Sequence, residues 1–154
     1  MLIRNILANA AATDMTSDDV IRMFLDWIAE YSELHFAVIG AIYNSAGITR
    51  ANIWSKLGKS NVREDSADAD LYKLLMRDLS TGGVIRQHRE TDYEGNFVKQ
   101  SRARMHGRSD TMKSAFDDTD EYELTQLGQQ LVHYAMTELP PKIEFKEPDQ
   151  EAKD

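Results

Sequence analysis

Residues 97–109, FVKQSRARMHGRS, carry three arginines, one lysine and one histidine with no acid among them. Side chains of this kind act by neutralising phosphates and releasing the counterions around them. More cations lie upstream, where Arg86, His88 and Arg89 precede the turn-forming stretch TDYEGN at 91–96. A hairpin returning through 97–105 brings Arg86 and Arg89 beside Lys99, Arg102, Arg104 and Arg108 as one basic patch. Arg102 and Arg104 are two apart, so a continuous strand sends both to the same face. Such a patch suits a phosphate backbone, or a narrow minor groove, which favours arginine. It also reads as a solvated loop balanced by an acidic tail.

Other chemistries find less support. GKS at 58–60 matches the end of a phosphate loop, but Ile53 stands where the first glycine belongs and no strand precedes it. His35, His88, His106 and His133 lack metal-ligand spacing. Serine, histidine and aspartate all occur without a nucleophile elbow. Trp27, Trp54 and the seven methionines read as core. Neither an enzyme nor a cofactor is expected, and no feature selects a small-molecule effector.

Composition frames these residues. At 154 residues and 42% hydrophobic, the chain suits one compact domain with appendages. It has no cysteine, which excludes disulfides and thiolate metal sites. The N-terminal LIRNILANAAATD is interrupted at Arg4 and Asn5 and followed by acids, so neither a signal peptide nor a membrane span is expected, and the expected compartment is the cytoplasm. The net charge of -8 is unevenly spread: residues 1–49 hold two bases and six acids, 50–113 thirteen and nine, and 114–154 three and eleven. A pI near 5.0 argues against indiscriminate nucleic-acid binding, but the middle third is positive.

The elements that must position the cations follow from periodicity. A helix is expected over 16–31, with Thr16 as N-cap, Asp18 and Asp19 on its dipole, and Val20, Met23, Phe24, Trp27, Ile28 and Tyr31 on one stripe. A second, capped by Ser32 and stopped by Gly47, is apolar nearly all round, through Leu34, Val38, Ala41 and Ile42 on one face and Phe36, Ile39 and Tyr43 on another. A short third is capped by Thr49, with Ile48 and Ile53 as a hydrophobic staple, and ends at Gly58. A longer fourth, at about 67–81, has Ser66 as cap, Tyr72, Leu75, Met76 and Leu79 inward, and Gly82 and Gly83 as terminator. The period then shifts to strand at 83–90, with 97–105 returning as its partner. Residues 107–120 read as a polar excursion, 121–125 as a short strand, and 126–139 as a closing helix with Leu127, Leu131, Tyr134, Ala135 and Leu139 on one stripe. Pro140 and Pro141 stop it.

The expected fold is therefore mainly α with a small antiparallel β-wing: a winged helix-turn-helix with extra N-terminal helices. LHFAVIGAIYNSAGITRANIWSKL, LYKLLMRDLSTGGVIRQ and YELTQLGQQLV resemble, in turn, the first two helices, the recognition helix entering the wing, and the strand-to-helix step after the wing of MarR- and PadR-type regulators. The resemblance spans residues 34–139 and implies DNA binding and transcription regulation. Two departures are visible: TDYEGN is not the tight acidic-basic wing tip of those families, and their long C-terminal dimerisation helices have no counterpart before Pro140. A homodimer would then use residues 1–31. The division expected is an N-terminal helical extension over 1–31, a winged-helix domain over 32–139 and an acidic tail over 140–154.

Outward positions of the fourth helix are Asp68, Asp70, Lys73, Leu74 and Arg77. Lys73 and Arg77 suit phosphates or guanine edges. Asp68 and Asp70 sit where that helix meets DNA; they either complement its N-terminus or accept from a cytosine amino group. Lys56, Lys59 and Arg63, in and before the preceding turn, are expected to add phosphate contacts. Duplex DNA is the expected partner, and a protein-interaction module that does not bind DNA is the alternative, favoured by those acids and by Leu74.

Overall fold

The computed structural model describes residues 1–12, 16–59, 62–98 and 114–136. Lys99, Arg102, Arg104 and Arg108, Leu139 and the acidic tail lie outside the described residues. Six α-helices and three short strands follow in the order α1 (Leu2–Ala12), α2 (Asp18–Glu30), α3 (Glu33–Tyr43), β1 (Ile48–Thr49), α4 (Arg50–Lys56), α5 (Ala67–Thr81), β2 (Ile85–Gln87), β3 (Glu121–Leu124) and α6 (Gln126–Leu131). The last helix runs on as a π-helical segment, Val132–Met136. The protein is thus mainly helical with a small antiparallel sheet, and no described helix is long and apolar enough to cross a membrane.

Local chemistry accounts for most boundaries. Thr49, Ser66 and Thr125 each accept a hydrogen bond from a main-chain N–H of the first turn they cap. Ser32 forms a capping box with His35. Ile48 and Ile53 are both buried, as a staple across Thr49 requires. At the start of α2 the N-cap is Ser17 rather than Thr16, and its side chain makes no capping bond. The acids Asp18 and Asp19 in the first turn remain to complement the dipole.

The stripe that α2 buries is Ile21, Phe24 and Trp27, rotated from the expected one so that Val20, Met23 and Ile28 sit at its margin. On α3, Val38, Ile39, Ala41 and Ile42 are buried, whereas Tyr43 is exposed because the helix has reached the edge of the core. The inward face of α5 consists of Tyr72, Leu75, Met76 and Leu79, joined by Ala69. Leu131 on α6 and Tyr134 and Ala135 on the π-helical segment are buried, but Leu127 is exposed on the first turn of α6.

Helix α1 is more than an appendage. Ile6 is fully buried within the common core, and Asn5 and Asn9, one turn apart, donate to the main-chain carbonyls of Ala135 and Tyr134 at 3.0 and 2.8 Å. The asparagine that interrupts the apolar run in the sequence is therefore a dock onto the π-helical segment. A buried amide needs such partners, since leaving one unmade costs about 1–3 kcal/mol.

The sheet order is β1-β3-β2, all antiparallel, with Ile48 opposite Tyr122 on one side of β3 and Ile85 opposite Leu124 on the other. This corrects the expected wing in part: the partner of Ile85–Gln87 is Glu121–Leu124. Of the expected return strand, Phe97 and Val98 do lie opposite Thr91 and Glu90, and residues 99–105 lie outside the described residues. What TDYEGN contributes is a small turn closed by a bridge between Thr91 and Phe97. The Asp92 carboxylate accepts from the N–H groups of Glu94 and Asn96, and Gly95 takes φ +85°. Alternation suits this pairing: β3 buries Tyr122 and Leu124 and turns Glu121 and Glu123 toward solvent.

A second correction concerns the polar excursion, whose described part, 114–120, is docked on α4. Ala115 is buried and its carbonyl accepts from Trp54 Nε1 at 2.9 Å. Trp54 stacks on Tyr72 at 4.3 Å between centroids, and Phe116 meets Tyr72 edge-on. Thr49 Oγ1 donates to Asp118, and Ala51 N–H to the Asp117 carbonyl.

Candidate functional site

Between the outward face of α5 and the segment from β2 to Phe97 lies an open groove of about 1170 Å³. Its rim carries Arg50, Lys73, Arg77, Arg86 and Arg89, and among the described residues Asp70 is the one acid lining it. Its floor is apolar, formed by Leu71, Leu74, Ile85, Phe97 and Tyr122. Each side chain arrives by a different rule. Lys73 and Arg77 are one helical turn apart on α5, on the face opposite Tyr72 and Met76. Arg86 lies on β2 between the inward Ile85 and the half-buried Gln87. Arg50 is the first residue of α4, placed there because Thr49 caps that helix.

The cations are unequally engaged. Lys73 Nζ is 2.8 Å from Glu64 Oε2, and this contact, reinforced by the Ser114 hydroxyl, holds the Glu64 carboxyl below its ordinary pKa. Arg86 Nε is 2.6 Å from Glu123 Oε1, directly across the β2–β3 ladder. Glu123 also takes His88 Nδ1 at 2.8 Å. Burial alone raises the Glu123 carboxyl, but the bonds from His88 and Arg86 outweigh it, and the net shift is downward. The same carboxylate raises the His88 pKa. Arg50 Nε donates to the Tyr122 hydroxyl at 3.0 Å and Nη1 to the Ser114 carbonyl at 3.3 Å, with the guanidinium over the Tyr122 ring. Among the described residues Arg77 and Arg89 make no ion pair. Arg89 and Arg86 both approach the Phe97 ring, at 5.8 and 5.3 Å from its centroid.

Of the cations singled out in the sequence, the fold thus gathers Lys73, Arg77, Arg86 and Arg89. Three others do not line the groove. Arg63 is exposed and held by Asp65 in a two-pronged contact at 2.7 and 2.8 Å. Lys56 donates to Ser45 Oγ at the far end of α4, and Lys59 is exposed beyond it. They part from the groove because α4 ends in the turn at Gly58, φ +69°. Asp68 is exposed on the first turn of α5 outside the groove, whereas Asp70 lines it. Arg50, Tyr122, Leu71 and Phe97 were not singled out. Phe97 had a visible signal as the aromatic heading a cationic run; Arg50 had none, because it meets Tyr122 only through the sheet.

A second constellation is a chain of serine, histidine and aspartate. Ser32 Oγ is 2.9 Å from His35 Nδ1, and His35 Nε2 is 3.4 Å from Asp78 Oδ2. Its chemistry is structural. His35 Nδ1 also receives the Ser32 main-chain N–H at 3.1 Å, so the nitrogen that could serve as a base is already an acceptor in the capping box. Tyr31 stacks on His35, and its hydroxyl is raised in pKa by burial, then by the nearby Glu30 and Asp78. None of the three lines the groove or the smaller cavity of about 440 Å³ beside Tyr43 and His88.

No protein-family model, no curated protein and no solved structure matches the chain.

Proposed function

We propose that the chain is a winged-helix protein that binds duplex DNA and serves as a transcription regulator, with α5 as the recognition helix and the segment after Gly83 as the wing. The observation that carries this reading is the convergence of Lys73, Arg77, Arg86, Arg89 and Arg50 on one open groove that a single acid lines among the described residues. The order helix, strand, helix, helix, strand, strand, with β3 between β1 and β2, supports it. Glu64 and Glu123 compete with phosphate for Lys73 and Arg86, so Arg77 and Arg89, which make no ion pair among the described residues, make the first contacts. A homodimer through residues 1–31 is supported by Ile3 and Leu7, which stand half exposed on α1.

The test is duplex binding followed across salt concentration. With Arg50, Arg77 and Arg89 as the phosphate contacts, log K falls against log salt with a slope of about −3. R77A/R89A together flatten the slope to about −1. Binding that ignores salt, or none at low salt, rejects the reading.

A protein-interaction module without DNA binding is the second reading. It is favoured by Leu71 and Leu74, each 40% exposed on α5, and by the carboxylates that already occupy Lys73 and Arg86. A salt-independent complex with a protein partner, lost in L71A/L74A, would establish it.

A further inference from the structure

A phosphate backbone needs only the cationic rim. The groove also has an apolar floor, and on it Phe97 is 46% exposed with two guanidinium groups beside its ring. The ring does not stand there as core: it is absent from the packed cluster and from the residues at its margin. It is nevertheless held in place. Its main chain is fixed by the bridge to Thr91, Val98 N–H donates to the Glu90 carbonyl at 2.9 Å, and the preceding turn is tied by Asp92. Arg86, anchored by Glu123, limits how far the ring can swing. A fixed, half-open aromatic ring among cations has the properties of a stacking platform for a planar base attached to phosphate. Bases inside an intact duplex cannot offer their faces, whereas unpaired ones can.

We propose that Phe97 stacks an unpaired nucleobase, so that the groove prefers DNA with a strand end, bulge or fork over uninterrupted duplex. This rests on the nucleic-acid reading above and narrows it. Charge complementarity selects the occupant: Arg86 and Arg89 stand over the ring, Arg77 lines the same groove, and Asp70 is the one lining acid among the described residues. Arg77 and Arg89 take the phosphates flanking the base, and Leu71 and Leu74 close the apolar side.

The full-length chain is titrated at low salt with a blunt duplex, a forked duplex and a single strand of matched length, each bearing 2-aminopurine at the unpaired position or its duplex equivalent. The forked DNA is expected to bind about tenfold tighter than the blunt one, with 2-aminopurine quenched on binding. F97A and F97L remove the quench and lower forked-DNA affinity about tenfold more than blunt-duplex affinity, so that the preference is lost; F97W keeps both. Leucine retains apolar volume without a π face, so preference surviving in F97L means mere apolar contact and overturns stacking. Equal affinity for forked and blunt DNA overturns the proposal and leaves duplex binding standing. No binding to any of the three overturns both. Poly-glutamate displacing the forked DNA as effectively as unlabelled DNA of equal charge would show an acidic polypeptide as the occupant and likewise overturn it.

Discussion

Around Val84 and Thr125 the main chain is clasped on every side, whereas two residues further along β2 the side chains line an open groove and trade partners. The Val84 carbonyl accepts from Thr125 N–H at 3.0 Å, Thr125 Oγ1 donates to the Gly83 carbonyl at 2.5 Å, and Gly128 N–H donates back to Thr125 Oγ1 at 3.0 Å. A Cβ on Gly128 would lie 2.2 Å from the Val84 carbonyl oxygen. In the groove, by contrast, Lys73 and Arg86 are held by single carboxylates, and Arg77 and Arg89 by none among the described residues. The difference teaches how a small protein positions a binding surface: a clasp of main-chain atoms fixes the strand, and exchangeable ion pairs on it stay available to a ligand.

The sharpest way to break this comparison is Gly128→Ala. The clash is with backbone, so the clasp must open, and chemical denaturation should show a loss of about 3 kcal/mol. A change below about 0.5 kcal/mol would mean that the α6 turn can slide away from β2 at little cost. Thr125→Ala removes the cap and the bond to Gly83 and should cost about 1 kcal/mol, recovered in Thr125→Ser. On the groove side the effect moves from stability to binding. Glu64→Gln and Glu123→Gln release Lys73 and Arg86, so duplex affinity at low salt should rise about threefold for each, with stability nearly unchanged. A fall in affinity would show that these carboxylates orient the cations rather than compete for them.

The smallest expected effect concerns His88. Its pKa lies above the ordinary 6.5 because Glu123 accepts its hydrogen bond. A raised folded-state value means that the charged contact is fully stabilising below pH 6.5 and is lost as pH climbs through the folded value. The melting temperature of the native chain should exceed that of His88→Asn at about pH 6 and converge with it by about pH 9. A gap that widens with rising pH would contradict the assignment.

The clasp and the groove were not equally legible in the sequence. Thr49, Ser66 and Ser32 declare helix starts, and the inward stripe of α5 follows from spacing alone, because both are local rules acting within four residues. The strand and helix around Thr125 were readable for the same reason. Pairing was not. Proximity along the chain pointed to 97–105 as the partner of β2, whereas Ile85–Gln87 pairs with Glu121–Leu124, more than thirty residues on, where Tyr122 and Leu124 alternate inward. Asn5 was misleading in a similar way, since a polar residue in an apolar run signals a break until the Ala135 carbonyl is seen opposite it. In the groove, Lys73 and Arg77 could be placed together from helical spacing. The acids that hold Lys73 and Arg86 could not, since Glu64 and Glu123 reach them through a turn and a strand register.

Because β2 finds its partner at Glu121–Leu124, the alignment of the two strands is written at their own ends: Ile85 against Leu124, Val84 against Thr125, and Ala115 under Trp54. Each of these contacts lies within a few residues of a strand end, so register is set locally, where the two distant stretches meet. Bringing such ends together costs little more for a long excursion than for a short one, about 0.6 kcal/mol of closure entropy for each doubling in length.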